Sequence, residues 1–160
     1  MKKFLVTLAA IAILQVAGNA QEYRTGIGFR GGLSQGLTIK HFVTPDRALE
    51  GLLSARWGGF HLTGLYEIHA PAFNINGLNW YYGFGAHIGS WDGNSKNPWW
   101  NDSENHSAIG IDGILGIEFS IGVIPFNIGV DYKPALNLIG HTGFWADEFA
   151  LSVRYVWGYR

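Results

Sequence analysis

A chain of 160 residues with no Cys, a formal net charge of −1 and 14% charged residues has room for one domain. It has no disulfide framework and no excess of positive charge with which to hold a nucleic acid. Its 23 Gly, 15% aromatic residues and single Met are an unusual mixture for a water-soluble domain and suit strands that face lipid on one side.

The chain opens with Lys2 and Lys3, an apolar run from Phe4 to Val16, and the small residues Ala17-Gly18-Asn19-Ala20. This pattern predicts a secretory signal peptide over residues 1–20, ending before Gln21. The run is too short to span a bilayer as a helix, and no later segment approaches about 18 consecutive apolar residues, so an ordinary helical membrane protein is excluded. With no Cys to acylate, a lipoprotein is excluded as well. Loss of the two lysines takes the formal charge from −1 to −3. Residues 21–160 then form a single barrel domain.

Eight strands follow from the period of two that a β-strand imposes on its side chains. In the first, Tyr23, Thr25, Ile27, Phe29 and Leu33 are expected outside, with Arg24 and Arg30 inside. In the second, Leu37, Ile39, His41 and Val43 face out and Lys40 faces in, and Thr44-Pro45-Asp46-Arg47 forms a compact turn with Pro preset at its second position. The third places Leu49, Leu53, Ala55 and Trp57 outside against Glu50 and Arg56, and Gly58-Gly59 turns the chain. The fourth shows Phe60, Leu62, Tyr66 and Ile68 outside, with Glu67 and His69 inside.

After a turn containing Pro71 and Asn, Trp80, Tyr82, Phe84, Ala86 and Ile88 alternate with Tyr81, Gly83, Gly85 and His87. The sixth strand is the clearest, with Ile109, Ile111, Leu115, Ile117 and Phe119 on one parity and Gly110, Asp112, Gly116 and Glu118 on the other. The seventh sets Phe126, Ile128, Val130 and Tyr132 against Asn127, Asp131 and Lys133. The eighth sets Phe149, Leu151, Val153, Tyr155 and Trp157 against Glu148, Ser152 and Arg154.

No outward position in this layout carries a formal charge. The inward charges are Arg24, Arg30, Lys40, Arg56, Lys133 and Arg154 against Glu50, Glu67, Asp112, Glu118, Asp131 and Glu148, a balanced set that predicts a lumen of paired charges. An eight-stranded barrel is just wide enough inside for side chains to fill it, and Leu52, Tyr81 and His87 add bulk, so a plugged interior is expected and not an aqueous pore. The fold expected is all-β, a closed antiparallel eight-stranded transmembrane β-barrel with a polar, filled lumen.

If the N-terminus is periplasmic, loops after odd strands lie outside the cell and should be the long ones. Ser90 to Ser107 follows strand five, and Pro134 to Gly143 follows strand seven. Aromatic residues gather at strand ends, with Tyr23, Trp80, Phe119, Phe126, Tyr155 and Trp157 at the inner rim and Trp57, Phe60 and Tyr132 at the outer. Two such girdles are what membrane interfaces select.

The segments Trp80-Tyr81-Tyr82-Gly83-Phe84-Gly85-Ala86-His87, Gly110 to Glu118, Ile124 to Pro134 and Ala150 to Trp157 carry a resemblance. The chain resembles the small eight-stranded outer-membrane barrels of the OmpX and OmpA-domain kind, in particular the compact outer-membrane proteins typical of Bacteroidetes. The ending Gly158-Tyr159-Arg160 departs from the common aromatic terminus. The resemblance implies insertion in the cell outer membrane of a Gram-negative bacterium and no single shared activity.

Signals for chemistry are weak. His41, His61, His69, His87, His106 and His141 have no metal-ligand spacing, and only His61, His106 and His141 could meet at the outer rim. The Gly repeats lack the strand-to-helix setting of a nucleotide fingerprint and instead make room in a crowded lumen. Asp112, Glu118, Glu148 and Ser152 could form an acid–base site with a nucleophile, but Ser152 has no His in its own strand and the carboxylates have structural partners. No catalytic, cofactor or metal residue is assigned.

The best candidate surface is the long outer loop, with Trp91, Trp99, Trp100 and His106, where exposed aromatics would suit a surface glycan or a protein. Outer-membrane lipid is the other expected partner, the barrel is expected to be monomeric, and nucleic acid is not a partner. The reading is a structural or cell-surface interaction protein. The alternatives are an outer-membrane lipid-modifying enzyme of the lipid A hydrolase or acyltransferase kind and a secreted lipocalin-like carrier, which would have an apolar interior.

Overall fold

The computed structural model describes residues 23–92, 104–140, 142–146 and 148–158. The signal segment expected over residues 1–20 lies outside the described residues. The strands are β1 (Thr25–Gly32), β2 (Gln35–Thr44), β3 (Arg47–Arg56), β4 (Gly59–Pro71), β5 (Leu78–Trp91), β6 (His106–Ile121), β7 (Phe126–Tyr132), β8 (Ala135–Ile139), β9 (Gly143–Trp145) and β10 (Phe149–Trp157). No helix occurs among the described residues.

Each strand from β1 to β6 pairs antiparallel with the next, β7 pairs with β10, and β10 pairs with β1, so the sheet closes on itself. The ring has eight walls, because β7 with β8 and β9 with β10 are each one strand interrupted once. β6 shows this directly, pairing through Leu115–Ile121 with β7 and through Ile109–Asp112 with β8. The connection expected from Pro134 to Gly143 is therefore largely strand. Pro134 has no N–H to donate to the ladder, which accounts for the break, although its carbonyl still accepts from Gly113 N–H at 2.9 Å. β5 and β6 also run further than the alternation suggested, from Gly89 to Trp91 and back from His106.

Alternation governs the walls. In β6, Ile109, Ile111, Leu115, Ile117 and Phe119 are exposed, while Asp112, Ile114 and Glu118 are buried inside. The same phase runs through the other strands, leaving a continuous apolar belt outside the barrel, with Ile39, Leu53, Leu62, Phe84, Val130 and Val153 among its members. The alternation fails just before β1. Tyr23, expected outside, is buried, and Arg24, expected in the lumen, is exposed. These residues precede the regular strand, and the Tyr23 ring turns in to pack edge-on against Phe42 at 5.2 Å.

Close packing inside explains several glycines. A Cβ at Gly116 would lie 2.4 Å from the Tyr81 ring, and one at Gly110 would lie 2.5 Å from the His87 ring, so each glycine leaves space for a bulky neighbour. The β3–β4 hairpin turns on Trp57 and Gly58, both with positive φ (53° and 79°). That is the twist two-residue hairpins favour, but an unusual conformation for Trp.

Candidate functional site

The barrel interior holds the chemistry-bearing side chains, arranged in layers from the rim where β1 begins and β10 ends to the opposite mouth. Strand position sets the order. Tyr23, Phe42, Ala48 and Val156 close the lower end as an apolar cap. Directly above them Lys40, Glu50, Glu67, Glu118 and Arg154 converge from five strands, with His69 beside them.

Lys40 Nζ lies 2.8 Å from Glu67, 3.3 Å from Glu118 and 3.4 Å from Glu50, and sits 4.0 Å over the Tyr81 ring. The guanidinium of Arg154 donates to Glu50 at 2.5 Å, to Thr38 at 3.2 Å and to Asn127 at 3.3 Å. Thr38 donates in turn to Glu50. The Tyr23 hydroxyl donates to Glu118 at 3.2 Å, and the His69 ring meets Glu67 at 3.0 Å while stacking on Tyr81.

Leu52, Leu65, Tyr81 and Ile114 form an apolar wall at mid-height. A second charged cluster lies above it. Arg30 donates to Asp131 at 2.5 Å and to Glu148 at 2.7 Å, and Ser34 donates to Glu148 at 2.7 Å. Lys133 bridges Asp112 at 2.9 Å and Glu148 at 3.2 Å, and the His87 ring spans Asp112 and the Asn137 amide, each at 2.8 Å.

Each cluster thus contains two cations, three carboxylates and one imidazole. Taking such charges out of water is costly, and only good geometry with further hydrogen bonds compensates, which is what the Thr38, Asn127, Ser34, Tyr23 and Asn137 contacts supply. At the upper mouth Trp91, Ala108, Ala135 and Trp145 pack together with Trp57 against them. The Arg56 guanidinium lies 3.9 Å over the Trp57 ring, and His61 meets Trp91 and Trp145 edge-on.

The structure buries Arg30, Lys40, Glu50, Arg56, Glu67, Asp112, Glu118, Asp131, Lys133, Glu148 and Arg154 inside the barrel and leaves Arg24 exposed. Trp91, expected on the outer loop, is corrected. It is the last residue of β5, faces inward and is fully buried in the mouth cap. His106 is half-buried opposite it, as the first residue of β6. Trp99, Trp100 and His141 lie outside the described residues. His61, expected at the outer rim, is buried inside.

Asp112 and Glu148 belong to the upper cluster and Glu118 to the lower, so the carboxylates considered with Ser152 are divided between two layers. The Ser152 hydroxyl is buried and has no hydrogen-bond partner among the described residues. No group of three or more His, Asp or Glu among the described residues is arranged to hold a metal ion.

Sequence reasoning did not anticipate the roles of Tyr23, Trp145 and Ile114. The signal for Ile114 was present, since Ile114 shares the parity of Asp112 and Glu118 and so marks an apolar patch on an inward face. Compared with protein-family models the chain matches none, and no curated protein matches it.

Proposed function

We propose that the protein is a small outer-membrane barrel of the kind it resembles, with a structural or cell-surface interaction role and no open pore. The observation that carries this is the inversion of polarity across a closed wall. Large apolar side chains cover the outside, whereas ten ionisable groups in two clusters occupy the inside. A closed barrel leaves no unpaired edge in lipid, which is the condition for crossing a bilayer with strands. A soluble carrier with an apolar ligand chamber is disfavoured by the same inversion. The layered interior supports a plugged barrel and leaves contact with a surface glycan or protein to the connection between β5 and β6.

The test is an epitope tag inserted beside Asn101, which lies outside the described residues, probed with antibody on whole cells. With the termini periplasmic, the β5–β6 connection emerges on the cell surface, so the tag is bound on unpermeabilised cells. Binding only after permeabilisation would place that connection in the periplasm and refute the orientation.

A further inference from the structure

Two adjacent turns at the lower rim are built from residues that a solvated turn does not use. The β6–β7 connection reads Ile121-Gly122-Val123-Ile124-Pro125-Phe126 and has no polar side chain, with Val123 94% exposed and Ile124 exposed beside it. The β4–β5 connection presents Phe73, 83% exposed, together with exposed Ile75. Phe73 and Asn74 both have φ of 53°, a left-handed conformation that costs a bulky residue of order 1 kcal/mol or more. The turns are neighbours, since β5 and β6 pair beside them and Ser120 N–H near the end of β6 donates to the Gly77 carbonyl at 2.8 Å, and each is closed by its own backbone hydrogen bonds. Among the described residues nothing covers Val123 or Phe73, and Ile75 and Ile124 are about half exposed.

The patch continues the outer belt downward through Phe119, Phe126 and the stacked pair Trp80 and Tyr82. Elsewhere on the same rim the belt stops. The β2–β3 turn ends in Thr44, Asp46 and Arg47, with Thr44 donating to Asp46 at 2.8 Å, and Arg24 is exposed beside the termini. At the upper rim apolar side chains are exposed on both sides, Leu33, Phe144 and Phe149 near β1 and β10 and Phe60 and Ile139 on β4 and β8.

We infer that the β4–β5 and β6–β7 turns form an apolar foot that enters the periplasmic leaflet of the membrane. The inference rests on the membrane reading above. Lipid is the occupant because the foot is continuous with the apolar belt, with no polar side chain between Phe119 or Phe126 and the β6–β7 turn except Ser120, which points inward. Burying Phe73, Ile75, Val123 and Ile124 there offsets the strain held at Phe73.

The absence of Cys makes the test clean. Single substitutions Val123→Cys, Ile75→Cys, Thr44→Cys and Ile117→Cys are labelled with one fluorophore, and the protein is reconstituted in phosphatidylcholine vesicles. Emission is then measured with brominated acyl chains and with iodide on both sides of the membrane. Labels at 123 and 75 are expected to be quenched about twofold or more by the brominated chains and spared by iodide, and a label at 44 the reverse.

Iodide quenching at 123 and 75, with acyl-chain quenching at 117, overturns the foot and leaves the membrane reading standing. Absence of acyl-chain quenching at 117 refutes the membrane reading itself. Labels that are open to iodide in vesicles but shielded in native envelopes would assign the patch to a periplasmic protein and overturn the lipid assignment.

Discussion

Replacing Lys40 with methionine keeps most of the side-chain volume and removes the one cation that Glu67 touches. Lys40 Nζ holds Glu67 at 2.8 Å, Glu118 at 3.3 Å and Glu50 at 3.4 Å, and all four side chains are essentially inaccessible to water. Arg154 still reaches Glu50 at 2.5 Å and Glu118 at 3.8 Å. Glu67 is then left with its contact to the uncharged His69 ring at 3.0 Å. Stranding a buried charge by removing its partner costs about 3–5 kcal/mol, against a total stability of about 5–15 kcal/mol for an ordinary domain.

The exposed pair of Arg47 with Asp46, 3.6 Å apart, is the internal control, because pairs of that kind contribute about 0–1 kcal/mol. Urea unfolding in detergent micelles should therefore separate Lys40→Met, destabilised by about 3–5 kcal/mol, from Arg47→Ala, near wild type. Adding Glu67→Gln to Lys40→Met removes the stranded carboxylate, so the double variant should be more stable than the sum of the two single losses by about 1 kcal/mol or more. A loss below about 1 kcal/mol for Lys40→Met, or strict additivity in the cycle, would refute the claim that the lower cluster is dry and mutually dependent.

Ile117→Arg places a cation on the outer face of β6 and should disfavour insertion by about 2–4 kcal/mol if the site lies near the bilayer midplane, measured as folding yield and stability in lipid vesicles. A water-soluble, fully folded Ile117→Arg protein of unchanged stability contradicts the lipid-facing assignment. In planar bilayers the purified protein should give no stable conductance, since apolar layers close both ends and the middle of the lumen. Large, reproducible ohmic steps would show that the interior opens.

The walls of the barrel were readable because a strand's period of two is a strong local signal, and Ile109 to Phe119 shows it at every position except Gly113 and Ile114. What alternation cannot give is phase beyond a strand's end. Tyr23 and Arg24 exchange places for that reason, and Trp91 turns into the mouth because β5 outlasts the polar residues that seemed to begin a loop. β8 escaped notice because Pro134 and Asn137 read as loop residues, whereas Asn137 is buried and bonded to His87 through closure of the ring. The list of inward charges was legible apart from Arg24, but their division into two clusters was not, since it depends on the stagger of eight strands.

The layering also explains why an interior so rich in charge can be stable in a barrel this narrow. Tyr23 and Phe42 below and Trp91 and Trp145 above keep water from the clusters, so each ionic contact acts in a low-dielectric space where it is strong and where any unpaired charge would be severe. Matching of partners is then obligatory, and each cluster meets it by sharing cations, Lys40 among three carboxylates and Lys133 between two. The clusters in turn draw their strands together, because Lys40 links β2 to β3, β4 and β6, and Arg30 links β1 to β7 and to Glu148, which precedes β10. The links from Lys40 to β4 and β6 and from Arg30 to β7 join strands that share no backbone ladder. Plugging and stability are on this account one property, and a variant that let water past either cap would weaken the ion pairs as it opened the lumen.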